Sequence, residues 1–280
     1  GSVLSNLSIF EPNTDYVGLF GYVTVGSLSD ILLIDYAING DYFVGGIAGY
    51  AGNIINCSVT DSCISGNLYV GGIVGNSGNI INCSVTSSSV NGNSRVGGIT
   101  GSCSISCSNP IIDSCDVSFC TIIGNSDVGG IAGDVFENRC VNNSSVTDCT
   151  INGNLEVGGI TGSIYYTTVF NCSVFNSKIY GEEYIGGIIG SATTNTNGEG
   201  SNNIFNCHVS HDTIVDGVSY VGGIVGYVSE CTGEKRTCII GSCTAINSRV
   251  NGTSYIGGIV GYVPYGSENY INNCSSSYSL

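Results

Sequence analysis

From Val44 to Gly101 the chain repeats one pattern of apolar and polar positions: an aliphatic-Gly-Gly-aliphatic block, a polar stretch closing on Ile-x-Cys-x-Val, a short turn, and a lone aliphatic residue before the next block. The block starts at Val44, Val70 and Val96, 26 residues apart, and again at Val128, Val157, Ile185, Val221 and Ile256, with a degenerate copy at Val17. Ahead of it comes an aliphatic residue (Ile38, Ile64, Val90, Ile122), and seven residues earlier a slot that usually holds cysteine. The pieces are short, alternate in places as Ile55-x-Cys57-x-Val59, and are bounded by Gly, Asn and Ser, so they predict strands; no segment has a helical period with caps.

A fixed unit of this length predicts coils stacked on one another. The expected fold is all-β, a parallel β-solenoid of about nine coils with three short strands each, a minimal period of 26 residues and no helical caps. At the usual spacing between strands such a rod is roughly 40 Å long. The whole chain, 1–280, reads as one domain: 1–16 a partial first coil, 17–280 the repeats. Extra residues gather at one corner of the unit, near 102–114, 134–143, 191–206, 228–242 and 263–273. The signature leaves one ambiguity. Val44 and Ile47 are three apart, so a plain strand cannot turn both inward. Either the glycine pair bends the chain, the preferred reading, or a column of isoleucines faces out as a lateral interface.

"YVGGIVG" at 69–75 and "YIGGIVGY" at 255–262 resemble the GLUG-type repeat of microbial surface proteins, and the resemblance runs over residues 17–280. That repeat occurs in adhesins and in the non-catalytic part of some large secreted proteases. Cysteine richness in a compact solenoid also resembles the sheath-forming proteins of filamentous methanogenic archaea, in which solenoids stack into hoops around the cell.

Composition narrows the partners. Six basic residues against 21 acidic ones give a net charge of −15, which disfavours nucleic acid and anionic lipid. No apolar run is long enough to insert in a membrane. Fifteen cysteines point to an extracellular or cell-surface location. Lacking methionine, the chain reads as a processed product or a piece of a longer one. Asn6, Asn142 and Asn251 lie in sequons and are candidate glycosylation sites.

The chemical motifs are better read as structure. Gly-Gly-x-x-Gly can cradle phosphate only with a helix behind it; here Tyr50, Asn76 or Ser102 follows, and the glycines are expected to allow a bend and close backbone approach. Cys57, Cys83, Cys115, Cys172, Cys207, Cys243 and Cys274 form the slot column, with Ile31 and Ser144 in the same register, so a core thiol column is expected rather than a metal ladder. Of the remaining cysteines, Cys231 and Cys238 flank one loop and Cys103 and Cys107 share another, while Cys120 and Cys149 hold one repeat position on adjacent coils; these are the candidate disulfides. Cys63 and Cys140 are left as candidate intermolecular thiols. His208 and His211 read as a solvated pair, and Glu182 and Glu183 as strand neighbours facing opposite ways. Tyrosines beside the repeat (Tyr50, Tyr69, Tyr184, Tyr220, Tyr227, Tyr255, Tyr262) predict a ladder of stacked rings rather than a glycan platform.

No enzyme, cofactor or metal site is expected. Both ends look like open coils, and the expected function is a structural protein that stacks end to end with copies of itself, with lateral contacts as a further option, into a disulfide-linked sheath or filament. The alternative is a segment of a larger adhesin that binds a surface glycan or another surface protein through its variable corner.

Overall fold

The computed structural model describes residues 2–104, 111–194, 200–229, 237–265 and 269–277, and among residues 132–142 the side chains of 137 and 138 are left aside. These residues form strands, turns and bends with no helix. Every pairing between them is parallel, and the coils climb with a period near 29 residues.

Each coil has four sides. Sheet A has ten strands such as Ser58–Thr60 and Ser84–Thr86; sheet B has nine, including Cys63–Ser65 and Ser89–Asn91; sheet C has eight, including Leu68–Gly71 and Ser94–Gly97. The fourth, sheet D, has 13 strands, among them Ala48–Ile55 and Val74–Ile81. This corrects the expected three strands per coil. "AGYAGNII" has the composition of a loop, yet each coil sets it beside its counterpart, so Asn53 pairs Asn79 and Ile54 pairs Ile80. Stacking supplies the ladder that propensity alone would not.

The corners explain the pattern. Asn56, Asn82, Ser114, Asn143 and Asn171 take left-handed conformations between sheets D and A, with φ between 54° and 55° apart from Asn143 at 48°. Asparagine tolerates this region better than most residues. The corner also resets the alternation: Ile54, Cys57 and Val59 are buried, whereas Ile55 is half-exposed. The asparagines then bond from coil to coil, Asn82 Nδ2 to Asn56 Oδ1 at 2.8 Å and Asn171 Nδ2 to Asn143 Oδ1 at 2.8 Å.

Between sheets C and D the glycine pair makes the turn. A Cβ on Gly72 would lie 2.2 Å from the carbonyl oxygen of Gly98 in the next coil, so nothing larger than glycine fits at this coil spacing. The turn brings Val44 and Ile47 both fully inward, and Ile73, Ile99, Ile131, Ile160, Ile188 and Ile224 repeat the burial. The isoleucine column is core, and the bend is the correct reading.

The longest irregularities lie on sheet D. Strands Thr100–Cys103 and Ile111–Asp113 flank one variable segment, Ile189–Thr193 and Asn202–Phe205 another, and Val225–Val228 and Cys238–Gly241 a third. In the intervening coil one continuous strand, Ala132–Asn142, absorbs its extra residue in a register shift between Phe136 and Arg139.

Candidate functional site

The residue just before each Val-Gly-Gly block has positive φ, from Tyr16 at 59° through Tyr69 at 60° to Tyr255 at 54°. Its side chain points out beside the first outward residue of sheet D, so two columns run along the C–D corner. At the N-terminal end they are aromatic. Phe43 stacks between Tyr16 and Tyr69 at 4.8 and 4.5 Å, with ring planes within 3°, and Tyr22 lies on Tyr50 at 4.4 Å. At the C-terminal end Tyr220 lies on Tyr255 at 4.7 Å and Tyr227 on Tyr262 at 5.7 Å, while Tyr184 meets Tyr220 and Tyr227. Faces cover faces along the rod, as in the expected ladder. A sugar would find ring edges, not faces, except at the two end coils.

In the middle of the rod both columns change character. Arg95 takes the place of the next aromatic; its guanidinium carbon sits 4.9 Å from the Tyr69 ring centre, and Nη1 donates to the Tyr69 hydroxyl at 2.8 Å. Asp127 and Glu156 follow in that column, and Ser102, Asp134, Ser163 and Ser191 run in register beside them on sheet D. Arg95 Nε forms an ion pair with Asp134 Oδ2, and the Asp134 side chain is 1% exposed. Ser163 Oγ donates to Asp127 Oδ1 at 2.7 Å.

Asp134 and Asp127 thus lie near the Arg95 guanidinium, and Glu156 follows beside Asp127. Burial, then repulsion from Asp127, pushes the Glu156 carboxyl up to about 8, and burial raises Asp134 to about 7. Ser102 beside Asp134 and Ser191 beside Glu156 partly offset these rises, although neither hydroxyl completes a hydrogen bond of ordinary geometry. At neutral pH Glu156 is a neutral acid next to Asp127. Among the described residues no group of three or more His, Cys, Asp or Glu is placed to hold a metal ion.

The cluster escaped the sequence analysis because its members are separated by whole coils. Its signal was present: Arg95, Asp127 and Glu156 interrupt a position that is otherwise Tyr or Phe.

The cysteine slot lies at the D–A corner with its thiols inward. Cys57, Cys83, Cys115, Cys172, Cys207 and Cys243 are buried and unbonded, and Cys274, in the last coil, is half-exposed. Each thiol donates to the carbonyl two residues earlier, for example Cys83 to Ile81 at 3.4 Å and Cys243 to Gly241 at 3.3 Å. A hydrogen bond to Cys115 pushes the Cys83 thiol up to about 12, with burial adding to it. Ser144 fills the slot equally well because its hydroxyl bonds Asn142 O at 2.8 Å.

Cys120 and Cys149, expected as a candidate disulfide, are free thiols in the structure. They replace serines in another corner column, where Cys120 N–H donates to Cys149 Sγ at 3.4 Å and each thiol donates to its own coil, Cys120 to Ser118 O at 3.1 Å. The sulfurs occupy hydrogen-bonding positions that Ser88 and Ser177 hold elsewhere. Cys231 and Cys107 lie outside the described residues; their expected partners Cys238 and Cys103 are both buried. Cys63 is exposed and free, on the floor of a groove of about 630 Å³ between sheets A and B, whereas Cys140 is half-buried in sheet D.

His208 and His211 do not converge. His208 Nδ1 meets Thr244 Oγ1 at 2.7 Å, and His211 Nδ1 meets Ser210 Oγ at 2.8 Å. Glu182 lies in a turn and Glu183 opens a strand beside the Tyr184 hydroxyl. Asn6 is exposed, and Asn142 and Asn251 are half-buried within strands.

Fold and columns together define the protein as a parallel β-solenoid with four-sided coils. No protein-family model matches the chain, and no curated protein matches it in sequence. Among solved structures, one chain from Bacteroides ovatus, described as a "putative immunoglobulin A1 protease", aligns at 14% identity with a TM-score of 0.48, covering 92% of this chain and 68% of its own. A likeness of that size carries no argument about activity.

Proposed function

We propose that the rod is a structural element of the cell surface that stacks end to end with further copies of itself. One observation carries the reading: among the described residues, the aromatic columns are exposed at the first and last coils. At one end Tyr22 is 53% exposed, with Leu4 and Phe20 also exposed; at the other, Tyr255 is 54% and Ile256 46% exposed. Among the described residues, the strands Ser2–Ser5 and Ser275–Ser277 each pair on one side only. A second copy set head to tail would lay Tyr16 and Tyr22 on Tyr255 and Tyr262, as Tyr220 and Tyr227 already lie within the chain. Backbone edges and apolar columns would continue through the joint. Cys63, exposed and unbonded, supplies a thiol for covalent linkage between rods. The reading assigns the rod an extracellular place and no catalytic role, as the resemblance to GLUG-type and sheath proteins implies.

The second reading, a segment of a larger adhesin, is favoured by the variable segments being flanked by strands of sheet D, where loops can change without disturbing the stack. In that case further coils or domains of a longer chain cover the ends.

Sedimentation and electron microscopy of the full chain, with and without reductant, separate the two. Stacking predicts particles that lengthen by whole rods with concentration, and loss of growth on Ile256→Lys with an unchanged circular dichroism spectrum. Single rods at every concentration would rule it out and favour the adhesin.

A further inference from the structure

The two aromatic blocks hold tyrosines in contact across coils, and nothing in the stacking reading requires them to be tyrosine rather than phenylalanine. Phe43 sits in the same column with the same parallel geometry, so stacking alone does not select a hydroxyl. Yet tyrosine fills every other aromatic position of the two columns. In the C-terminal block five tyrosines touch: Tyr184, Tyr220, Tyr227, Tyr255 and Tyr262, with ring centres between 4.6 and 5.8 Å apart. In the N-terminal block Tyr22 and Tyr50 lie 4.4 Å apart with planes 15° from parallel. The rings are half-exposed or exposed, within reach of a small oxidant.

We propose that these columns are sites of oxidative phenol coupling, in which tyrosines of neighbouring coils join as biphenyl (dityrosine) cross-links along the rod. The oxidant is hydrogen peroxide acting through a haem peroxidase. Two phenols each give up one electron and one proton to become phenoxyl radicals. The radicals combine through the ring carbons ortho to oxygen, and the hydrogens on those carbons move to the oxygens as aromaticity returns. Two electrons and two protons leave in total, and they reduce one peroxide to two waters. The chain supplies proximity: rings already in contact react as an intramolecular pair, which removes the entropic cost of finding a partner. It also supplies a proton acceptor, because the Glu183 carboxylate faces the Tyr184 hydroxyl.

The coupling does not depend on end-to-end stacking, since the paired rings belong to one chain. Where rods do stack, the exposed Tyr16 and Tyr22 of one copy and Tyr255 and Tyr262 of the next would be joined by the same chemistry.

The test treats the full chain, dilute enough to remain a single rod, with peroxidase and limiting peroxide. Biphenol fluorescence and peptide mass mapping are read on the product. Each link should appear as two joined peptides lighter by two hydrogen atoms, connecting Tyr22 to Tyr50 and joining contacting pairs among Tyr184, Tyr220, Tyr227, Tyr255 and Tyr262. Tyr265 is fully exposed, and Tyr42 and Tyr270 are also exposed, yet none of the three has a ring contact among the described residues, so they should be passed over. The pair Tyr220→Phe and Tyr227→Phe keeps the stack and should lower fluorescence to between about one third and two thirds, because Tyr22–Tyr50 is untouched while the C-terminal block then has only Tyr255–Tyr262 in contact. Unfolding the chain before oxidation should scatter the links. The proposal is overturned by links centred on Tyr265 or Tyr270, by the same pattern from the unfolded chain, or by no biphenol at all.

Discussion

Replacing Glu156 with glutamine measures how far the mid-rod carboxyl cluster works against the fold. Glu156 has its carboxyl raised from 4.5 to about 8, chiefly by burial and then by Asp127. The folded chain therefore binds this proton more tightly than the unfolded chain does. The stability that this binding gives is complete below about 4.5 and is lost as pH rises through about 8. A shift of that size, at about 1.4 kcal/mol per unit, sets a ceiling of about 5 kcal/mol. Partial exposure of the side chain lowers it, and a change of about 2 kcal/mol is the expected outcome. Glutamine keeps the shape and the hydrogen-bond donor toward Asp127 but has no proton to lose.

The assay is urea unfolding followed by circular dichroism, at about pH 4 and about pH 9, on both proteins. Near pH 4 the two should unfold together. Near pH 9 the wild type should have lost stability and the Glu156→Gln chain should have kept more of it. Asp134 is left intact because it holds Arg95, and its own titration near 7 gives both proteins a common residual slope. Parallel loss of stability in the two chains across this range would refute the assignment of a neutral Glu156.

Other substitutions probe the stack itself. Gly72→Ala drives a Cβ against the Gly98 carbonyl and should cost about 3–5 kcal/mol by thermal melting, whereas Gly52→Ala, with its nearest neighbour at 3.8 Å, should stay within about 0.5 kcal/mol. Cys83→Ser should cost only about 1 kcal/mol, because Ser144 already fills the same slot and keeps its carbonyl bond. Asn82→Ala removes the bond to Asn56 and places alanine at a φ of 54°, for an expected loss of about 1–2 kcal/mol in unfolding free energy by urea denaturation.

The solenoid was legible because repetition supplies its own alignment: a slot that holds Cys57, Cys83 and Cys115 at fixed distance from Val70, Val96 and Val128 has few explanations besides stacked coils. The fourth strand was not, since Ala48–Ile55 becomes strand through its neighbours rather than its composition. The alternation Ile55-x-Cys57-x-Val59 does not put all three on one face, for a related reason. Alternation holds only while the backbone stays extended, and left-handed Asn56 breaks the count between Ile55 and Cys57. The same break, made by the Gly71–Gly72 turn, allows Val70 and Ile73 to be buried together. Cys120 and Cys149 show the limit of positional reasoning: equal register places two thiols side by side, but the hydrogen bonds of the corner decide what they do there.

Arg95, Asp127 and Glu156 divide the aromatic corner into two blocks, and the division has a physical consequence. A continuous ring column would tie all nine coils into one stack of the same side chain, stabilised equally from end to end. The polar interruption puts raised-pKa acids and a buried ion pair in the central coils, while the tyrosine pairs reinforce coils toward either end. Stability along the rod is then uneven, and between about pH 6 and about pH 9 its pH dependence is concentrated in the middle. Alkaline conditions should open central coils before terminal ones, the reverse of the fraying expected of a uniform repeat array, in which end coils have one neighbour each. Amide exchange followed by mass spectrometry at about pH 6 and about pH 9, corrected for intrinsic rates, distinguishes the two patterns. Protection at Val96–Gly97 and Val128–Gly129 should fall at the higher pH relative to Val44–Gly45 and Val221–Gly222. A uniform loss from the ends inward would mean that the carboxyl cluster does not govern where the rod opens.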